Sequence, residues 1–307
     1  MITPALAALI LAAAPPAPPA SDHEALLRLR AGDAACALLT PVERSFLDVV
    51  LDQARDDAIV AGADAAMLAR YERATRAPAC DDTGLHASAD AHRARLATLA
   101  ELTQPTLPGR LHAWAVRPPA AAGRPGWRVV QMPGGQSAAF GLYEERSARA
   151  PALALRADAP APRAVMVMRD PARQAAPVDR TIGGLRPAPG GNPVGAWGAY
   201  AGGEQRFMAN ARLDPETAGH LAPAGGTPAY GFTFPDEALT ALTALTPREG
   251  VRIDLLRLDG RATQSLWIEV GALRAGLLLA SEADARAAAA RAAALAASAP
   301  AAASPSR

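Results

Sequence analysis

The sequence predicts an α+β protein: an N-terminal helical unit of about three helices, then a mostly antiparallel, sandwich-like β-rich domain with one or two short helices. From Ser21 to about Gln104 apolar residues recur three and four positions apart, the spacing of one helix face. Beyond Pro105 the texture changes to short apolar runs of strand length, bounded by Gly and Pro. No repeat of fixed period is visible. These observations place a leader at 1–20, a helical domain at 21–104, a linker with a candidate first strand at 105–126 and the β-rich domain at 127–280. An Ala-rich helix and disordered tail are expected at 281–307.

The leader holds an apolar run, Ala5 to Ala14, followed by PPAPPASDHE. Its ten residues fall short of the roughly 20 that span a bilayer, so a secretory signal is the expectation, with Ala20/Ser21 as the cleavage point. The n-region has no Lys or Arg and Pro18 stands where a small residue is preferred, which keeps open an Ala/Pro leader on a cytosolic protein. No cysteine lies there to carry a lipid anchor.

Thr40, Pro41 and Glu43 have the pattern of a helix start: a side-chain cap, proline at the first position and a capping-box acid. Phe46, Leu47, Val50, Leu51, Ala54 and Ile59 follow at helical spacing, with Gly62 as a stop. A second helix is expected from Asp64 to Ala77, burying Met67, Leu68 and Tyr71. A third is expected from about His86 to Leu102, with Leu96 and Leu99 inward. Cys36 precedes the first of these and Cys80 follows the second, so an antiparallel hairpin brings them together. A structural disulfide is expected, closing a loop of about 45 residues and contributing about 4 kcal/mol in the chain-entropy model. A free or redox thiol is the alternative, without a C-x-x-C or a cationic cluster to support it.

In the β-rich half, strands are expected at Leu111 to Arg117, Trp127 to Met132, Ala138 to Tyr143, Ala164 to Arg169, Arg206 to Leu213 and Tyr230 to Phe234. A helix from Asp236 to about Leu245 interrupts them. Val251 to Leu258 and Arg261 to Val270 then form a hairpin around Asp259-Gly260. Ala272 to Ala280 is a closing apolar helix or strand, and Arg274 within it argues against a membrane span. Gly183 to Gly203 holds eight glycines and three prolines around Trp197 and Tyr200. It reads as a surface loop, with those two aromatics as candidate partner contacts.

Composition excludes more chemistry than it suggests. All 31 Lys+Arg residues are arginine, so a Schiff-base lysine, a P-loop lysine and a Ser-Lys dyad are ruled out. With 30 acidic residues the net charge is +1 and no charge block appears, so no nucleic-acid partner is indicated. His23, His86, His92, His112 and His220 are scattered without metal-ligand spacing and are expected as surface or capping residues. No metal or cofactor is expected. Gly135-Gln136-Ser137-Ala138-Ala139 lacks the last glycine of a nucleophile elbow and sits between two expected strands. Ser137 and His112, with an acid such as Asp170 or Asp179, are therefore only the least remote catalytic candidates. Adjacent carboxylates such as Asp56-Asp57 diverge and do not form a glycosidase pair.

The order within Phe207 to Ala280, a strand, the helix FPDEALTALTAL, the strands GVRIDLL and RATQSLWIEV, then GALRAGLLLA, resembles the C-terminal half of secreted invasion-associated locus B-like proteins. The resemblance implies a β-rich exported domain without an established enzymatic mechanism. It departs from that pattern in lacking cysteines in this half and in carrying the N-terminal helical unit. It assigns no functional residue.

The functional expectation is a secreted or periplasmic, non-catalytic interaction protein whose partner is an envelope protein. The alternatives are an envelope hydrolase assembled from distant residues and a carrier of small apolar ligands.

Overall fold

In the computed structural model, which describes residues 19–109, 111–120, 124–133, 137–145, 148–179 and 197–298, the chain opens with four helices. These are α1 (Pro19–Cys36), α2 (Pro41–Val60), α3 (Ala65–Ala74) and α4 (Thr83–Ala100). Residues 1–18, which hold most of the expected leader, lie outside the described residues, as do 180–196 of the glycine-rich stretch and 299–307 of the tail.

α2 starts as its sequence dictates. Thr40 Oγ1 accepts from Glu43 N at 3.4 Å and Glu43 Oε2 accepts from Thr40 N at 2.7 Å, a complete capping box with Pro41 at the first turn. Asp64 and Asp82 cap α3 and α4 more simply, each with a side-chain carboxylate that accepts from first-turn amides. α1 is the helix that no single strong signal announced. Its end is fixed by Asp33, buried, whose carboxylate accepts from Leu39 N at 2.7 Å and pairs with Arg44 of α2. Burial would raise the Asp33 carboxyl, but the Arg44 hydrogen bond and the Leu39 and Leu38 amides outweigh it and hold it below the ordinary aspartate range. Cys36, the last residue of α1, is disulfide-bonded to Cys80, just before α4. α3 corrects one expectation. Leu68 is buried, but Met67 and Tyr71 are 56% and 41% exposed, because this short helix rests on the others along a single narrow face.

The β-rich part is two antiparallel sheets. The larger contains β1 (Thr106–Leu107), β2 (Trp114–Val116), β3 (Gly126–Gln131), β4 (Ala138–Glu145) and β5 (Ala148–Arg156), then β11 (Ala229–Thr233) and β10 (Ala211–Arg212), in that spatial order. The smaller has the order β13 (Ala262–Glu269), β12 (Gly250–Leu256), β6 (Arg163–Arg169), β9 (Glu204–Met208). A two-stranded ribbon joins β7 (Val178–Asp179) to β8 (Trp197–Gly198). α5 (Pro215–Leu221) and α6 (Asp236–Thr243) flank β11, and α7 (Leu273–Ser298) closes the described chain.

β5 carries no sequence signature of a strand because Pro151 sits inside it. Its carbonyl accepts from Phe234 N at 2.9 Å, on the side where β11 gives way to α6, so the missing donor falls at the end of a ladder. The β12–β13 turn also differs from a two-residue loop. Arg257 N bonds to Arg261 O and Gly260 N to Arg257 O, which makes Leu258-Asp259-Gly260 a three-residue turn with Gly260 at φ +80°.

The core does not stop at Pro105. Phe46, Leu47 and Val50 of α2 belong to the same buried cluster as Phe140 and Phe232 of the larger sheet and Met166 and Ile253 of the smaller. Trp114, Phe140 and Phe234 run through it edge to face, with centroids 6.4 and 6.5 Å apart. α7 settles the helix-or-strand alternative at Ala272 to Ala280. It packs Leu273, Ala275 and Leu279 into this core. A bulge in β3 makes Arg128 the unpaired residue, and its buried guanidinium bonds to Arg117 O, Ala280 O and Asp284, fastening α7 to the sheet.

Candidate functional site

Two places concentrate polar side chains against apolar walls: the junction of helices and sheets, and a groove within the helices.

At the junction, Arg248 and Glu249 are neighbours in the connection leading from α6 to β12. Glu249 turns into the smaller sheet, where Arg169 meets it in a buried fork, Nε to Oε2 and Nη2 to Oε1, both at 2.7 Å. Arg248 turns the other way, its Nε donating to Asp52 of α2 at 2.5 Å and its Nη2 lying 3.5 Å from Glu72 of α3. Glu72 also meets Arg55 of α2 at 3.0 Å and His23 of α1 at 3.3 Å, so three helices and one loop converge on a single carboxylate. Burial works to raise Glu72, but His23, Arg248 and Arg55 reverse that and hold it at about 2. Asp52 goes the opposite way. Burial pushes it up to about 6, which Arg248 only partly offsets and which Asp56 and Asp48 reinforce.

Beside Asp52 a cleft reaches Glu269, whose carboxylate accepts from Leu111 N at 2.7 Å and His112 N at 3.3 Å. Gly109 is required there, since a Cβ would stand 2.1 Å from His112 O and 2.3 Å from Glu269 Oε2. The free space is about 20 Å³, room for a water and not for a substrate. This cluster joins the two parts of the chain and offers no binding volume.

The groove lies between α1, α2 and α4 and has a volume of about 410 Å³. Leu26, Leu29, Val50 and Ala54 form its apolar floor, and Asp22, Asp57 and Arg95 stand at its rim. His92 forms one wall. Its ring stacks on Phe46 with centroids 5.3 Å apart, and Nε2–H donates to Glu43 O at 2.8 Å, which leaves Nδ1 as an acceptor. Burial lowers its pKa below the ordinary histidine value, with Arg95 and Arg93 acting in the same direction against the Glu43 contacts. Arg95, which also lines the groove, lies 5.8 Å from the Phe46 ring centre. Ser88 stands one turn before His92 on α4, but its hydroxyl donates to Gly84 O at 2.9 Å. With the serine and the histidine each committed to a different carbonyl, the groove has the make-up of a binding surface: an apolar bed, one neutral imidazole, one guanidinium and two carboxylates.

The structure corrects the expectation that every histidine is a surface or capping residue, because His23 and His92 are 1% and 5% exposed. Helical periodicity carries a sign of this at both positions, since His92 shares its face with the buried Leu85, Ala89 and Leu96, and His23 stands four residues before the buried Leu27. Ser137 is exposed at the start of β4 and its carbonyl accepts from Arg156 N at 3.1 Å. His112 precedes β2, held through its backbone by Glu269 and Gln131. No hydrogen bond joins the two among the described residues, and Asp170 is engaged locally with Ala172 N and Arg173. Tyr200 is 51% exposed and its amide is fastened to Gln174 Oε1 at 3.0 Å, while Trp197 pairs through its backbone with Asp179.

Among the described residues no group of three or more His, Cys, Asp and Glu is placed to hold a metal ion, and no helix is long and apolar enough to cross a membrane. Neither a family model, a curated protein nor a solved structure matches the chain.

Proposed function

We propose that this chain is an exported, non-catalytic binding protein of the periplasm or cell exterior, and that its helical unit receives a ligand in the α1/α2/α4 groove. The observation that carries the reading is the groove itself: about 410 Å³ of space over Leu26, Leu29, Val50 and Ala54, bordered by charges of both signs. That volume lies in the usual range of about 300–1,000 Å³ for small-molecule sites. A ligand with an apolar body and an anionic group suits it, the body on the leucines and the anion toward Arg95.

Export rests on the Cys36–Cys80 disulfide together with the apolar run Ala5 to Ala14 ahead of the helices. The resemblance of Phe207 to Ala280 to secreted invasion-associated locus B-like proteins points in the same direction.

Titration with anilinonaphthalene sulfonate, an apolar ring system with one sulfonate, tests the groove. The expected result is saturable binding at one site in the native protein, lost when Ala91→Trp fills the groove from α4. No saturable binding, or equal binding by the Ala91→Trp protein, contradicts the reading.

A further inference from the structure

One outer strand of each sheet comes from a single stretch of chain. β9 is an edge of the smaller sheet and β10 an edge of the larger, with only Ala209 and Asn210 between them. Ala209 N bonds to Ala164 O in the β6–β9 ladder, and antiparallel alternation then directs the N–H and C=O of Gln205 and Phe207 toward β6. Those of Glu204, Arg206 and Met208 face outward, and none has a backbone partner among the described residues. β9 contains no proline and its register with β6 is unbroken, so charged side chains are what guards this edge.

A cavity of about 300 Å³ opens where β9 ends, walled by Arg163, Met208, Asn210, Arg212 and Phe232. Met208 is 48% exposed. Both charged groups in the wall are arginines. Arg212 lies 5.7 Å from the Phe232 ring centre, and neither it nor Arg163 has an acidic partner among the described residues. Arg206 adds a third guanidinium along the strand, paired at 3.5 Å with Glu204, the residue farthest from the cavity. Backbone groups, an apolar contact and uncompensated positive charge therefore lie in a row.

We propose that the open edge of β9 docks an extended, acidic segment of a partner protein, which adds as a further strand to the smaller sheet and sets a carboxylate between Arg163 and Arg212. Main-chain hydrogen bonds to Glu204, Arg206 and Met208 supply sequence-independent affinity, and the arginine pair supplies selectivity. A basic segment meets like charge at the same place and is rejected. The edge shares no residue with the groove between α1, α2 and α4, so the groove reading stands or falls separately.

The test is backbone-amide NMR of the full chain, titrated with a short peptide alternating valine and glutamate and, as a control, with one alternating valine and arginine. Saturable shifts centred on Glu204 to Ala209 are expected with the acidic peptide alone. The double substitution Arg163→Ala/Arg212→Ala should weaken binding by about tenfold or more. Arg206→Pro removes one outward donor and should abolish binding while the thermal transition stays in place. Equal binding of the basic peptide, no saturable shift, or full binding by Arg206→Pro overturns the proposal. So does a wild-type dimer that Arg206→Pro makes monomeric, since the occupant is then a second copy of this chain.

Discussion

Asp52 and Glu72 flank the same guanidinium, Arg248, and respond to pH in opposite senses. Asp52 rises from the ordinary 3.8 to about 6, so its favourable contribution is complete below pH 3.8 and is lost as pH rises through 6. Glu72 falls from 4.5 to about 2, so its contribution is complete above pH 4.5 and is lost as pH falls toward 2. Each displacement corresponds to about 3 kcal/mol. Asp52→Asn, which imitates the protonated acid, should therefore match the native protein near pH 4 and exceed its stability by up to about 3 kcal/mol at pH 7. Glu72→Gln should lose about 3 kcal/mol at pH 7 and converge on the native protein toward pH 2. Urea denaturation at several pH values checks both. An Asp52→Asn protein weakened equally at pH 4 and pH 7 contradicts this view of the cluster. None of it was legible beforehand, because His23, Asp52, Arg55, Glu72 and Arg248 are scattered over the sequence and meet only through tertiary packing.

Among the elements, legibility followed local chemistry. The Thr40-Pro41-Glu43 start of α2 and the β12–β13 hairpin were visible because caps and turns are satisfied within a few residues. α1 and β5 were not visible as distinct elements. α1 lacks a strong start signal and ends on Asp33, whose role depends on Arg44 in the next helix. β5 carries Pro151, which is tolerated only because of where β11 stops. Arg128 reads as a surface cation until the β3 bulge turns it inward. The disulfide is the element-scale constraint with the largest expected effect. Cys36 and Cys80 are 44 residues apart, and opening that loop should cost about 4 kcal/mol. Comparing the denaturation midpoint of a Cys36→Ser/Cys80→Ser protein with the native one checks this. An unchanged midpoint would show that α1 and α4 are held by packing alone.

On the scale of the whole molecule, the boundary near Pro105 marks a change of secondary structure and not of core. Phe46 and Ile253 share one buried cluster, and the adjacent Arg248 and Glu249 tie the helices to β6 through opposite charges. The β-rich part thereby braces the helices that form the groove. The groove itself could not be read from the sequence, since its floor mixes Leu26 and Leu29 of α1 with Val50 and Ala54 of α2, residues whose periodicity says only that they are buried. Native mass spectrometry of the chain purified gently from its own cells decides whether the helical unit carries a ligand. A stoichiometric extra mass is expected on the wild-type protein and not on the Ala91→Trp protein prepared in parallel. A bare wild-type chain, or the same extra mass on both, would contradict it.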